Sequence, residues 1–166
     1  MLKYHLMDER EKEIISNWKY EGEYGLYNMP PYREQKEQRT AFGNPERAQN
    51  YYTYCDGDRL IGFTSILEKE KEVSIGIGVD PKICGRGYGE EILMLAAEIS
   101  QTLYPGKPLC LEVRTWNQRA VRCYEKAGFQ MDGMPFEQST PIGKGTFYRM
   151  VKDALGENLR SWPRDR

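Results

Sequence analysis

The 166-residue sequence predicts an α/β (α+β) protein, a mixed central β-sheet flanked by helices. Three observations carry that expectation. Val73, Ile75, Ile77 and Val79 alternate with Ser74, Gly76 and Gly78, which is the period of a strand. Ile92, Leu95, Ala96, Ile99 and Leu103 then recur at helical spacing. The candidates also run as a meander of strands followed by strand, helix, strand, helix, strand, strand, an order that implies a mixed sheet with helices packed on it.

In chain order, Leu2 to Leu6 reads as a first strand and Asp8 to Trp18 as a helix with Ile14, Ile15 and Trp18 on one face. Trp18 to Tyr32 holds Trp18, Tyr20, Tyr24, Tyr27 and Tyr32 among Gly22, Gly25, Pro30 and Pro31, too turn-rich for one regular element, and reads as an aromatic loop. Arg33 to Phe42 reads as a short helix with a solvated, mixed-charge face, closed by Gly43-Asn44-Pro45. Tyr51 to Tyr54 and Leu60 to Ile66 form a hairpin around Asp56-Gly57-Asp58. Asp80-Pro81 ends the strand from Val73, and Tyr104-Pro105-Gly106 stops the long helix. Leu109 to Val113 is a short apolar strand. Asn117 is placed to cap a helix carrying Ala120, Val121, Tyr124 and Ala127, which Gly128 ends. Phe129 to Met131 and Phe147 to Val151 are the last strands. Residues 1–152 are expected to form a single domain, with Asp153 to Arg166 a polar, loosely held tail.

Composition removes several functions. Lys and Arg number 24 against 25 Asp and Glu, a formal charge of −1, so no basic field exists to coat nucleic acid. The longest apolar run, Ile92 to Ala97, is far short of the roughly 20 residues of a membrane-spanning helix. The N-terminus reaches Asp8, Glu9 and Arg10 without an apolar stretch of signal-peptide length, so a cytoplasmic protein is expected. Cys55, Cys84, Cys110 and Cys123 contain no Cys-x-x-Cys pair and His5 is the only histidine. Local motifs therefore assemble no zinc cluster, and reduced thiols are expected.

The chemistry concentrates in two segments. In the first, Val79 to Glu90, a strand passes through Gly85-Arg86-Gly87-Tyr88-Gly89 straight into a helix N-terminus. Free N–H groups, the helix dipole and glycines that admit close approach make such a turn a phosphate cradle, although the same glycines also suit a purely structural turn. Gly-x-Gly-x-x-Gly fails at Glu90, and no Gly-x-x-x-x-Gly-Lys-Ser/Thr occurs. The second segment is Asn117-Gln118-Arg119-Ala120-Val121-Arg122-Cys123-Tyr124-Glu125-Lys126-Ala127-Gly128-Phe129.

Together these segments resemble the GNAT superfamily of N-acetyltransferases. In that family, Gln/Arg-x-x-Gly-x-Gly/Ala grips the pyrophosphate of acetyl-coenzyme A, and Asn-x-x-Ala-x-x-x-Tyr-Glu-Lys-x-Gly-Phe lies beside the pantetheine arm. The likeness of element order covers about residues 50 to 152. One position departs: Cys84 stands where the family has Gln or Arg, so that contact is either lost or supplied by Arg86.

The resemblance implies a GNAT-like acyltransferase fold, acetyl-coenzyme A as cosubstrate and no metal. Backbone groups of Ile77 and Val79 would pair with pantetheine, the side-chain-poor Gly76 and Gly78 face would leave room for the thioester, and N–H groups of Gly85, Arg86, Gly87, Tyr88, Gly89 and Glu90 would hold the pyrophosphate. Asn117 would bond the pantetheine arm. Tyr124 would protonate the departing thiolate, unless it is only a half-buried packing residue. The base is Glu112, in Leu111-Glu112-Val113-Arg114, a segment similar to one in members that acetylate protein N-termini, or Glu72, at the position of the base in histone-type relatives. A bound water is the third choice. Partial burial is expected to lift the base's pKa toward the working pH. The aromatic loop either receives the acceptor or packs on the sheet.

The implied partner is an amine acceptor, either a small molecule or a protein N-terminus or lysine, with no nucleic acid and no membrane; a homodimer stays open. Three rival readings remain. They are an acyltransferase using another acyl-coenzyme A, a coenzyme A-binding regulatory module without turnover, and an interaction domain using the aromatic loop.

Overall fold

Asp8 decides where the first helix begins. Its carboxylate accepts from Glu11 N at 2.8 Å, while Glu11 Oε1 accepts from Asp8 N at 3.0 Å, a reciprocal cap that satisfies two otherwise orphaned donors. The strand before it, β1 (Lys3–Leu6), thus gives way to α1 (Glu9–Ser16), which buries Ile15. The computed structural model describes residues 1–154, and these fall into two compact units. One comprises Met1–Ser65 and Ile77–Ile92; the other begins as Ile66–Gly76 and resumes at Leu93. The expected tail lies, from residue 155, outside the described residues.

In the first unit the aromatic stretch contains a short 3-10 helix, Gly22–Tyr27, before α2 (Tyr32–Gln38). This second helix ends earlier than expected, because Arg39 and Ala41 take left-handed conformations (φ 56° and 47°) and Phe42 lies in a separate 3-10 turn, Ala41–Gly43. Gln35, fully buried, holds the arrangement together. Its amide nitrogen donates to Ser16 Oγ and to the Pro30 carbonyl, both at 2.8 Å, and its oxygen accepts from Phe42 N at 3.1 Å. The rest of α2 is solvated apart from Tyr32. The hairpin β2 (Tyr51–Asp56) and β3 (Arg59–Glu68) turns at Gly57, whose φ of 60° suits a residue without a side chain. The strand order is β1-β2-β3-β4, with β4 at Val73–Val79 as expected. Met7, Ile15, Tyr32, Phe42 and Tyr51 form the core, joined by Trp18 and Phe63. Phe42 meets Tyr51 and Phe63 edge-on, with ring centroids 4.9 and 5.4 Å apart.

In the second unit the start of β4 pairs in parallel with β5 (Leu109–Arg114), Val73 opposite Leu109 and Ser74 opposite Cys110. Strand β8 (Gly143–Lys152) runs antiparallel to β5 and also pairs with β6 (Gln130–Met131) and β7 (Phe136–Thr140). Parallel and antiparallel ladders together make the mixed sheet. The sequence reading does not contain β7, since Phe136 to Thr140 is mostly polar; its pairing along β8 supplies what its composition lacks. The long helix α3 (Tyr88–Leu103) starts in the first unit and continues into the second, where Leu93, Ala96, Ala97, Ile99 and Ser100 are buried. Leu103, expected on that face, is 47% exposed in the last turn. Helix α4 (Gln118–Lys126) follows β5 and stops before Gly128, whose φ is 98°. Among the described residues no helix is long and apolar enough to cross a membrane.

Candidate active site

The glycine turn of the first unit is built from main chain. After β4, Asp80 accepts from Lys82 N at 2.9 Å and opens a 3-10 turn, Pro81–Ile83, that Ile83 anchors by burial. Gly85 and Gly87 follow at φ 83° and 84°, where any other residue would be strained, and a Cβ on either would meet nothing within 4 Å. Gly87 O accepts from Glu91 N at 3.4 Å and so begins α3. The N–H groups of Tyr88, Gly89 and Glu90 are those that a helix's first turn leaves without a carbonyl four residues back, and the dipole of a 16-residue helix adds to their pull on an anion. Arg86 is exposed beside them. The Tyr88 hydroxyl turns away to donate to Asp56 at 3.2 Å.

Three contacts bear on the expectations for this turn. The Cys84 thiol lies 3.7 Å from the Val79 carbonyl and 3.5 Å from that of Asp80, so it closes the turn on itself. The Val79 carbonyl, expected to pair with pantetheine, already accepts from the Tyr20 hydroxyl at 2.8 Å. The space at Gly78, expected to be open, is filled by the Phe63 ring, which a Cβ there would strike. Of the aromatic loop, Tyr20 is thus bonded, Trp18 packs on Phe63 at 6.4 Å between centroids, and buried Tyr32 donates to Glu9 at 2.6 Å. Packing accounts for these three.

The second unit places side chains. Asn117 Oδ1 accepts from Ala120 N at 3.1 Å and caps α4 as expected. Tyr124, half-buried on that helix, has its ring centroid 6.5 Å from that of Phe129. Glu112 stands on β5 between buried Leu111 and Val113 but is itself exposed, contrary to the expected partial burial. Its Oε1 accepts from Gln138 Nε2 at 2.9 Å, and its cross-strand neighbour is Arg149.

Glu72 is engaged differently. Arg149 grips it with both terminal nitrogens, NH1 to Oε2 at 2.9 Å and NH2 to Oε1, while Arg149 Nε donates to Asp132 at 2.8 Å. The buried Cys110 thiol donates to Glu72 Oε2 at 3.0 Å. The guanidinium, outweighing desolvation, lowers the Glu72 pKa to about 2, opposite to the rise expected of a base; burial and then Glu72 push the Cys110 thiol up to about 11. These bonds tie Glu72, the residue before β4, to Arg149 on β8. Arg149 and Gln138 escape the sequence reading because each earns its role only through strand pairing. The turn signal Pro141-Ile142-Gly143, with Gly143 at φ 110°, marks the hairpin that presents Gln138.

The architecture is that of N-acetyltransferases. The spermidine N-acetyltransferase of Vibrio cholerae in complex with CoA and spermine superposes with a TM-score of 0.74 at 19% identity, covering 92% of this chain and 95% of that one. The ribosomal-protein-S18-alanine N-acetyltransferase of Escherichia coli gives 0.64 at 18% identity, covering 96% and 99%. The acetyltransferase (GNAT) family model matches residues 12–129, and the chain belongs to that family. N-alpha-acetyltransferase RimI of Mycobacterium tuberculosis (strain ATCC 25618 / H37Rv) is 35% identical over 92 residues, 51% of this chain and 55% of that protein, so the match spans about half the length of this curated relative.

Proposed function

We propose that the protein transfers an acetyl group from acetyl-coenzyme A to a primary amine by direct attack in a ternary complex, and that residues 1–152 act as one acetyltransferase domain. The observation that carries this reading is the turn from Gly85 to Glu90, two left-handed glycines opening onto the N-terminus of a 16-residue helix within a chain of the GNAT family. Backbone N–H groups from Gly85 to Glu90 hold the pyrophosphate, and backbone groups of Ile77, with what Val79 has left to offer, align the pantetheine arm, to which the family pattern also assigns a bond from Asn117. Acetyl-coenzyme A supplies an acetyl thioester, whose carbonyl an uncharged amine can attack. Glu112 takes the proton from the incoming ammonium. The Tyr124 hydroxyl gives a proton to the departing sulfur. Glu112 is preferred to Glu72 because its carboxylate has a single neutral partner, Gln138, whereas Glu72 is clamped by Arg149.

Among acceptors, a peptide α-amine has the most support, from the sequence likeness to an N-alpha-acetyltransferase and from Glu112 in Leu111-Glu112-Val113-Arg114. A cytoplasmic location agrees with four cysteines that form no disulfide in the structure. Calorimetry with acetyl-coenzyme A, followed by thiol release against short peptides, spermidine and an aminoglycoside, tests the reading. Binding with turnover on a peptide is expected. Binding without turnover on any amine would favour a regulatory module, and no binding would overturn the reading outright.

A further inference from the structure

We propose that His5, Glu11 and Cys55 form a binding site for one zinc-class divalent cation, apart from the groups assigned to acetyl transfer. The three side chains come from three elements, β1, the first turn of α1 and the end of β2, yet His5 nitrogen, a Glu11 oxygen and Cys55 sulfur all lie within 4.8 Å of one another. His5 Nε2 is 2.7 Å from Glu11 Oε2. No sequence spacing reveals the group, because β1 must pair with β2, and α1 follow β1, before the residues meet.

The donor set selects the ion. Imidazole, thiolate and carboxylate together suit zinc and its neighbours, whereas magnesium and calcium favour oxygen alone. With zinc bond lengths of about 2.0 to 2.3 Å, donors of a tetrahedral site lie about 3.3 to 3.6 Å apart, so His5 must draw back from Glu11, while no separation in the cluster exceeds 4.8 Å. His5 has that freedom, since its side chain is 49% exposed, while Glu11 at 7% is fixed. Glu11 is oriented beforehand: Oε1 accepts from Asp8 N in the helix cap, which leaves Oε2 for the ion.

Charge balances as well. One carboxylate and one thiolate offset a divalent ion, and water from the exposed side completes four-coordination. Binding the ion releases the proton of the Cys55 thiol, so the affinity rises with pH. An ion pair between His5 and Glu11 explains two of these side chains. It leaves the thiol beside them without a purpose.

The test uses the full chain, reduced and stripped of metal by chelation, and titrated with cobalt(II). A thiolate-to-cobalt charge-transfer absorption saturating at one equivalent is expected, with zinc displacing the cobalt. Cys55→Ser should abolish that absorption, Cys84→Ser and Cys123→Ser should keep it, and His5→Ala should weaken zinc binding at least about tenfold. Absence of the absorption in the unaltered protein, its persistence in Cys55→Ser, or unchanged zinc affinity in His5→Ala would each overturn the proposal. If Cys55→Ser fails to fold, His5→Ala, altered at an exposed edge-strand position, still decides.

Discussion

The first unit makes its candidate site from main chain, and the second makes its own from side chains. In the proposed cradle between Gly85 and Glu90 the groups used would be backbone N–H donors, and side chains would matter only by staying out of the way. At Glu112 and Tyr124 the backbone merely carries one carboxylate and one hydroxyl, and neighbours such as Gln138 set how they stand. A site of the first kind tolerates most substitutions and fails when a glycine is filled. A site of the second kind fails when one atom is changed. Cys84, which stands where the family has Gln or Arg, has its thiol against the Val79 and Asp80 carbonyls and so serves the turn.

The sharpest way to test the contrast is at single atoms of the second unit. Tyr124→Phe and Glu112→Gln should each lower turnover on the order of 10²-fold while acetyl-coenzyme A affinity, read by calorimetry, stays near that of the unaltered protein. Turnover within about threefold of the original would reduce either residue to packing or solvation. The first unit should respond in the opposite currency. Gly87→Val places a branched side chain at φ 84°, in the space an anion would use, and should weaken acetyl-coenzyme A binding at least about tenfold, or about 1.4 kcal/mol. Unchanged affinity in a folded variant would sink the backbone cradle.

Glu72 offers a stability test within the second unit. Its folded pKa of about 2 lies below the ordinary 4.5, so its contribution is fully present above about pH 4.5 and is lost as the pH falls toward 2. Glu72→Gln should therefore cost about 1 kcal/mol near neutrality, since both partners are partly exposed, and should flatten the acid side of a urea-denaturation profile. An unaltered acid profile would show that the Arg149 clamp carries no stability. The smallest effect is expected at Cys84→Ala, which removes two long sulfur contacts and should shift acetyl-coenzyme A affinity less than about twofold. A larger loss there would break the comparison, because a side chain would then be part of the cradle.

Much of this is legible in the sequence. The Val73–Val79 strand shows in its own alternation, and the Asn117 cap, the Gly57 turn and the end of α4 at Gly128 rest on contacts between near neighbours in the chain, which is the range over which sequence patterns speak. The strand β7 was not legible, because Phe136 to Thr140 becomes a strand by pairing with β8 and not by its own alternation. The early end of α2 was hidden for a similar reason. Nothing in Arg33 to Phe42 announces that buried Gln35 will hold Phe42 N and draw the chain out of the helix.

Sequence by itself determined the family and the mixed sheet with its helices, and it marked two segments as candidate sites, because motif spacing and apolar period are local properties. Tertiary structure alone decided what each side chain is free to do. It bound Glu72 to an arginine 77 residues away, filled the space at Gly78 with Phe63, engaged the Val79 carbonyl with Tyr20, and brought His5, Glu11 and Cys55 within reach of one ion. Proton affinity, access and coordination depend on neighbours in space, and those neighbours come from distant parts of the chain.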